Sequence, residues 1–366
     1  MRVRTATLIA LAGFAAAGEA AKPDVRPEVK PEPLEVGAEK IPVLPKRELT
    51  FKGINDGPEV KMRYLWFQTF DGKEWGAWRK HSQSFNRETP ITWSPVPEGH
   101  LRTYIQVENT SGLKMDDPTV AGTPTENVKV FVIDRTAPTA AITFPANGQK
   151  LRGTDRYTLR WEATDPYLRA APIALRWSRD GQTWETIAEN LANTGSYEWT
   201  VPQSMTTGGV LRIEATDKAG NVGSATTTGI IVDSVKPRGR VTGPDIAARS
   251  DVNLALDVSD AGPAGLTGAR LWISNDDGVS WTEGPNIPEP FKTVAWRANG
   301  DGRFRLAVVG TDGAGNQTQV PKGKGEDQFV VTVDTTAPTV ALGVPMGVAL
   351  ASEATTARRE DRKSVV

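Results

Sequence analysis

The sequence predicts an all-β chain, with small β-sandwiches of about 100 residues strung end to end. Three observations carry that expectation. The phrase Val132-Ile133-Asp134-Arg135-Thr136-Ala137-Pro138 returns as Val232-Asp233-Ser234-Val235-Lys236-Pro237 and again as Val333-Asp334-Thr335-Thr336-Ala337-Pro338, its aspartates 99 and 101 residues apart. Short runs alternate apolar with polar residues, as in Leu159-Arg160-Trp161-Glu162-Ala163, which gives a strand one apolar face. Asp-Gly turns join such runs: Asp71-Gly72, Asp180-Gly181 and Asp277-Gly278 occupy positions that demand positive φ between paired strands.

Along the chain, residues 1–21 combine Arg2 and Arg4 with an apolar stretch from Leu8 to Ala17 and small residues after it, the pattern of an export signal. The stretch falls short of the twenty or so apolar residues that span a bilayer. Residues 22–47 hold six prolines among alternating charges and read as a semi-rigid extended linker. A divergent first module is expected over 48–134, a second over 135–233 and a third over 234–334. The second and third share their grammar: Trp184 returns as Trp281, and Leu211–Asn221 returns as Leu306–Asn316. Residues 335–350 begin a fourth module that breaks off, and 351–366 read as a disordered or artefactual tail. Its ending, Asp361-Arg362-Lys363-Ser364-Val365-Val366, is what a common sequencing adapter spells when translated, so the sequence is expected to be a fragment of a longer protein.

Composition narrows the function. Lys+Arg number 43 against 44 Asp+Glu, so no basic surface is expected to neutralise phosphates, and nucleic acid is not an expected partner. Cysteine is absent and only two histidines occur, His81 and His100. Both are read as solvent-facing loop residues. Thiolate chemistry is excluded and little remains for a general base. No nucleophile elbow, phosphate loop, zinc helix or dinucleotide fingerprint is found. The chain is read as non-enzymatic, with no catalytic or cofactor-binding residue.

Eleven tryptophans raise sugar stacking as a possibility to weigh. Trp75, Trp184 and Trp281 recur at one repeat position and Trp93, Trp199 and Trp296 at another, as core positions do. Trp78 and Trp272 are the two expected at the surface, where an indole could stack on a glycan. The Ser274-x-Asp276-x-Gly278-x-x-Trp281 run resembles the Asp-box of sialidase-type propellers. Here it returns only once per 100 residues, and the Asp is expected to cap turn amides.

Leu175–Trp184 followed by Asn193–Pro202 resembles bacterial extracellular immunoglobulin (Ig)-like repeats. The second stretch is also similar to the Kre9/Knh1-type Ig-like domain of cell-wall proteins. The Asp-x-Thr-Ala-Pro joints and Asp-x-Ala-Gly-Asn turns are similar to Ig-like and fibronectin III-like modules at large. The resemblance covers 135–334 well and 48–134 loosely. It implies tandem sandwiches in an extended string, an exported location (periplasm, cell surface or outside), and a spacer, adhesion or interaction role. Partners would be other protein modules, envelope or extracellular components, or glycans, with no transmembrane span in the mature chain. The alternative is an accessory, carbohydrate-binding region of a larger secreted hydrolase.

In such a sandwich the start of the module and two loops share one end. That places Asp134 with Asp165 and Asp217, and Asp233 with Asp260 and Asp312. Three carboxylates converging at a joint could bind Ca²⁺, as the linkers of cadherin-like proteins do. The competing reading makes the same aspartates simple turn formers.

Overall fold

The computed structural model describes residues 34–36, 39–52, 57–120 and 128–340. The export signal, the start of the linker, the bulk of the fourth module and the tail fall outside the described residues. All regular elements among the described residues are strands. A short hairpin comes first, β1 (Leu34–Val36) with β2 (Glu39–Ile41).

Module one contains β3 (Val43–Leu44), β4 (Leu49–Phe51), β5 (Val60–Thr69), β6 (Arg79–Asn86), β7 (Ile91–Trp93), β8 (Gly99–Asn109) and β9 (Val128–Ile133). Its larger sheet runs β3-β9-β8-β5-β6 and its smaller sheet pairs β4 with β7. Module two contains β10 (Thr139–Phe144), β11 (Lys150–Arg152), β12 (Arg156–Thr164), β13 (Leu168–Ser178), β14 (Glu185–Leu191), β15 (Ser196–Thr200), β16 (Thr206–Asp217) and β17 (Val222–Asp233). Its sheets run β10-β12-β15 and β11-β17-β16-β13-β14. Module three repeats that order with β18 (Arg238–Thr242), β19 (Ile246–Ala247), β20 (Asp251–Ser259), β21 (Leu266–Ser274), β22 (Thr282–Asn286), β23 (Thr293–Arg297), β24 (Gly302–Asp312) and β25 (Phe329–Val333).

The first sandwich begins earlier than its expected boundary. Val43 and Leu44 pair in parallel with Val132 and Ile133, inside the stretch read as linker. A two-residue strand between Pro42 and Pro45 is too short to show alternation, so the period-two signal could not reveal it.

Each module closes its own core around an aromatic pair. Phe67 lies 4.6 Å from Trp93, Trp177 lies 5.2 Å from Trp199, and Trp296 lies 5.0 Å from Phe304. The second and third cores reach this by opposite routes. Trp177 presses against Gly209, where an added Cβ would sit 2.4 Å from the indole. In module three the matching positions are Ile273 and Phe304, so the ring comes from the neighbouring strand.

The hairpin tryptophans do not lie in these cores. Trp75 and Trp184 are half-buried on the outer face of their sheets, where Arg102 and Arg212 stack on them with guanidinium carbons 3.9 and 3.6 Å from the ring centroids. Trp281 is also half-buried and donates through Nε1 to the Gly323 carbonyl. These residues follow a turn rather than an alternating run, so nothing local sets their face. Arginines from the adjacent strand cover Trp75 and Trp184 instead of the opposing sheet.

Trp78 departs from expectation as well. It is 9% exposed, packed with Trp66 and Tyr104. The segment after β8 folds back over this face: the Tyr104 hydroxyl donates to the Asp116 carbonyl, and Gln106 Nε2 donates to the Met115 carbonyl. Trp78 therefore offers no free ring for a sugar.

Candidate metal centre

The joints are short. Four residues separate Asp134 from β10, and the same number separates Asp233 from β18. Proline closes each connection, and φ at proline is fixed. The residue after each joint aspartate ties back to the preceding module. Arg135 Nη1 donates to the carbonyls of Lys46 and Val96, and Ser234 Oγ donates to that of Ser204.

At the first joint, Asp134 ends module one, Asp165 sits in the β12–β13 loop and Asp217 ends β16. One carboxylate oxygen from each lies within 4.8 Å of the others. The second joint repeats this with Asp233, Asp260 and Asp312, again within 4.8 Å. Both sets of three expected carboxylates are thus brought together. In each set two residues are buried and the loop aspartate is intermediate.

The turn role expected as the competing reading is present too. Asp217 Oδ1 accepts from the amides of Gly220 and Asn221, and its Oδ2 accepts from Asn221 Nδ2 at 2.8 Å. That same amide reaches the Asp134 carbonyl at 3.0 Å and so crosses the joint. Asn316 does likewise, donating to Asp312 Oδ2 at 2.7 Å and to the Asp233 carbonyl at 3.1 Å. Asp134, Asp165, Asp233 and Asp260 each accept an amide two residues on.

Turn formation does not use up every oxygen. Asp134 is only 6% exposed, yet its Oδ2 has no hydrogen-bond partner, and Asp260 Oδ2 is in the same position. An unpartnered buried carboxylate oxygen is costly unless something satisfies it. Burial pushes the Asp134 carboxyl from an ordinary 3.8 up to about 6, with the charges of Asp217, Asp165 and Glu98 adding to the effect. Burial first, then neighbouring carboxylates, also raises Asp165 and Asp260.

The donor set fits a hard dication. Two Ca–O bonds of about 2.4 Å end to end span about 4.8 Å, so three oxygens this close can share one Ca²⁺. The three carboxylates carry no nitrogen or sulfur donor, which disfavours zinc. The loop packs directly on the carboxylate at joint two: a Cβ at Gly262 would stand 2.2 Å from Asp233 Oδ2, so a larger residue there would displace the carboxylate or the loop.

Contacts that sequence reading missed also hold the joints. Val43, Val132 and Ala219 form a small buried cluster with Ile41 and Tyr167, across modules one and two. His100 lies in β8 rather than a loop, and its Nε2 meets the Tyr167 hydroxyl at 2.9 Å. At joint two, Lys150 Nζ donates to the Ala264 carbonyl at 2.8 Å and Arg152 Nη1 to that of Gly315 at 3.3 Å.

A pH dependence follows for the cation-free chain. Because the folded state raises Asp134, it binds the proton more tightly than the unfolded chain. Stability from this group is therefore full below pH 4 and falls as pH rises from about 4 through about 6. Melting in chelator is expected to drop across that window, and Asp134→Asn should flatten the drop. A profile unchanged by the substitution would contradict this account.

The fold defines a class: an all-β tandem repeat of two-sheet, Ig-like sandwiches. Residues 144–228, most of module two, match the Kre9/KNH-like N-terminal Ig-like domain. No curated protein matches the chain. Among solved structures, fibronectin(III)-like modules of Clostridium thermocellum CbhA align at 13% identity, covering 53% of this chain and 93% of theirs, with a TM-score of 0.33. Chicken CNTN1 FN1–FN3 domains align at 10% identity over 75% of this chain and 89% of theirs, TM-score 0.34. A 1.5-MDa bacterial ice-binding adhesin aligns at 14% over 76% and 88%, TM-score 0.30. No helix among the described residues is long and apolar enough to cross a membrane.

Proposed function

We propose that this chain is an exported, non-catalytic spacer or adhesion scaffold whose joints are stiffened by Ca²⁺. The observation that carries the reading is the carboxylate triad, built twice from three separate segments and each time spanning a joint. A scaffold works by reach, and reach depends on whether consecutive modules bend at their joints. Interdomain surfaces of ordinary size allow such bending unless something locks them. A dication shared by the end of one module and two loops of the next would lock each joint while cancelling the repulsion among its carboxylates.

Small-angle scattering tests this directly. Calcium should lengthen and sharpen the distribution of interatomic distances relative to chelator. Asp165→Asn combined with Asp260→Asn should scatter in calcium as the parent does in chelator. Superimposable profiles in calcium and chelator would end the proposal.

A further inference from the structure

At one register position the three modules differ on the outer face of the larger sheet. Trp66 stands opposite Tyr104 across β5 and β8, Arg176 opposite Arg212 across β13 and β16, and Trp272 opposite Ala307 across β21 and β24. In module one the indole is buried beneath Trp78 and Tyr104. In module two Arg176 and Arg212 converge on Glu214 at 3.4 and 3.5 Å, closing the face with ion pairs. In module three Ala307 replaces the second arginine and Val309 replaces the glutamate. The half-buried Trp272 there borders a cavity of about 660 Å³.

That volume lies inside the range of about 300–1,000 Å³ typical of ligand clefts. The lining is divided as a recognition site requires. Val309, Ile287 and Phe291 supply apolar wall, and Gly268 leaves space, since a Cβ there would meet nothing within 4 Å. Arg270, Glu283, Asn286 and Gln317 supply polar groups around the indole. Arg270 is paired with Glu283 and donates through Nε to Asn286 Oδ1 at 2.8 Å, so these side chains are held in place. Amide, guanidinium and carboxylate groups together offer both donors and acceptors. Arg270 against Glu283 and Glu289 leaves the lining one charge negative, which disfavours an anionic ligand.

We infer that this cavity binds a neutral β-linked oligosaccharide of gluco-configured pyranoses. Such a sugar carries equatorial hydroxyls at its edge and a C–H-rich face. Trp272 stacks on the face, and the polar side chains take the edge. The site is separate from the scaffold reading and needs no cation.

Titration calorimetry on the full chain, in chelator, tests it with cellohexaose and chitohexaose as two arms, one hydroxyl-only and one N-acetylated. Saturable one-site binding of either is expected. Trp272→Ala should weaken it by about tenfold or more, as loss of a central aromatic anchor does. Gly268→Val should do the same by filling the cavity while retaining the indole. An unchanged melting profile would establish that both variants fold. No binding of either sugar at millimolar concentration, or binding undiminished in folded Trp272→Ala, would overturn the assignment.

Discussion

Replacing Trp177 by alanine should destabilise module two by about 3–5 kcal/mol, the range for deleting a large buried aromatic. Trp177 is 1% exposed and among the largest fully buried side chains. Its ring contacts Trp199 and fills the space above Gly209, so its removal leaves a void that rigid sheets collapse into poorly. A sandwich of this size is stable by roughly 5–15 kcal/mol, and the loss should lower its melting temperature by roughly 15–25 °C. Calorimetry of the full chain should then resolve a separate early transition while module three still melts at its parental temperature. The three clusters share no core residue, which is why the damage should stay local. A uniform downward shift of every transition would mean that the joints couple the modules into one cooperative unit.

What could be read from the sequence, and what could not, divides along a physical line. The aspartate triads were legible because a repeated sandwich grammar brings its first residue and two of its loops to one end. Repetition then supplied a second instance to check the first. Trp199 and Trp296 were legible as core because they recur on alternating strands. Trp184 and Trp281 recur just as regularly and yet lie outside the core, since a residue following a turn has no alternation to assign its face. Trp78 was illegible for another reason: Trp66 and Tyr104, from two other strands, bury it, a pairing no local pattern encodes. The Trp272 cavity emerges only by comparing modules. Trp272 replaces Arg176 and Val309 replaces Glu214 at matched register, and that exchange opens a face that ion pairs close elsewhere.

Calcium should raise the melting temperature of the chelator-treated chain, with a size set by linkage. Sites on extracellular modules bind with dissociation constants of about 10⁻⁴–10⁻³ M. At about 100 times the dissociation constant, a ligand specific to the folded state contributes about 2.7 kcal/mol. For a module near 100 residues this is roughly 10–15 °C. Magnesium should do less, because it dehydrates reluctantly and demands a tighter octahedron. Asp165→Asn separates the cation from the turn. The asparagine oxygen can still accept the Tyr167 amide that Asp165 Oδ1 accepts at 2.6 Å, so the loop keeps its shape. In chelator the substitution removes a charge from a crowded set and should stabilise joint one. In calcium it removes a ligand and should lower stability there. Opposite signs in the two buffers are what a cation site requires. If the aspartates served only as turn formers, calcium would leave both curves where chelator puts them.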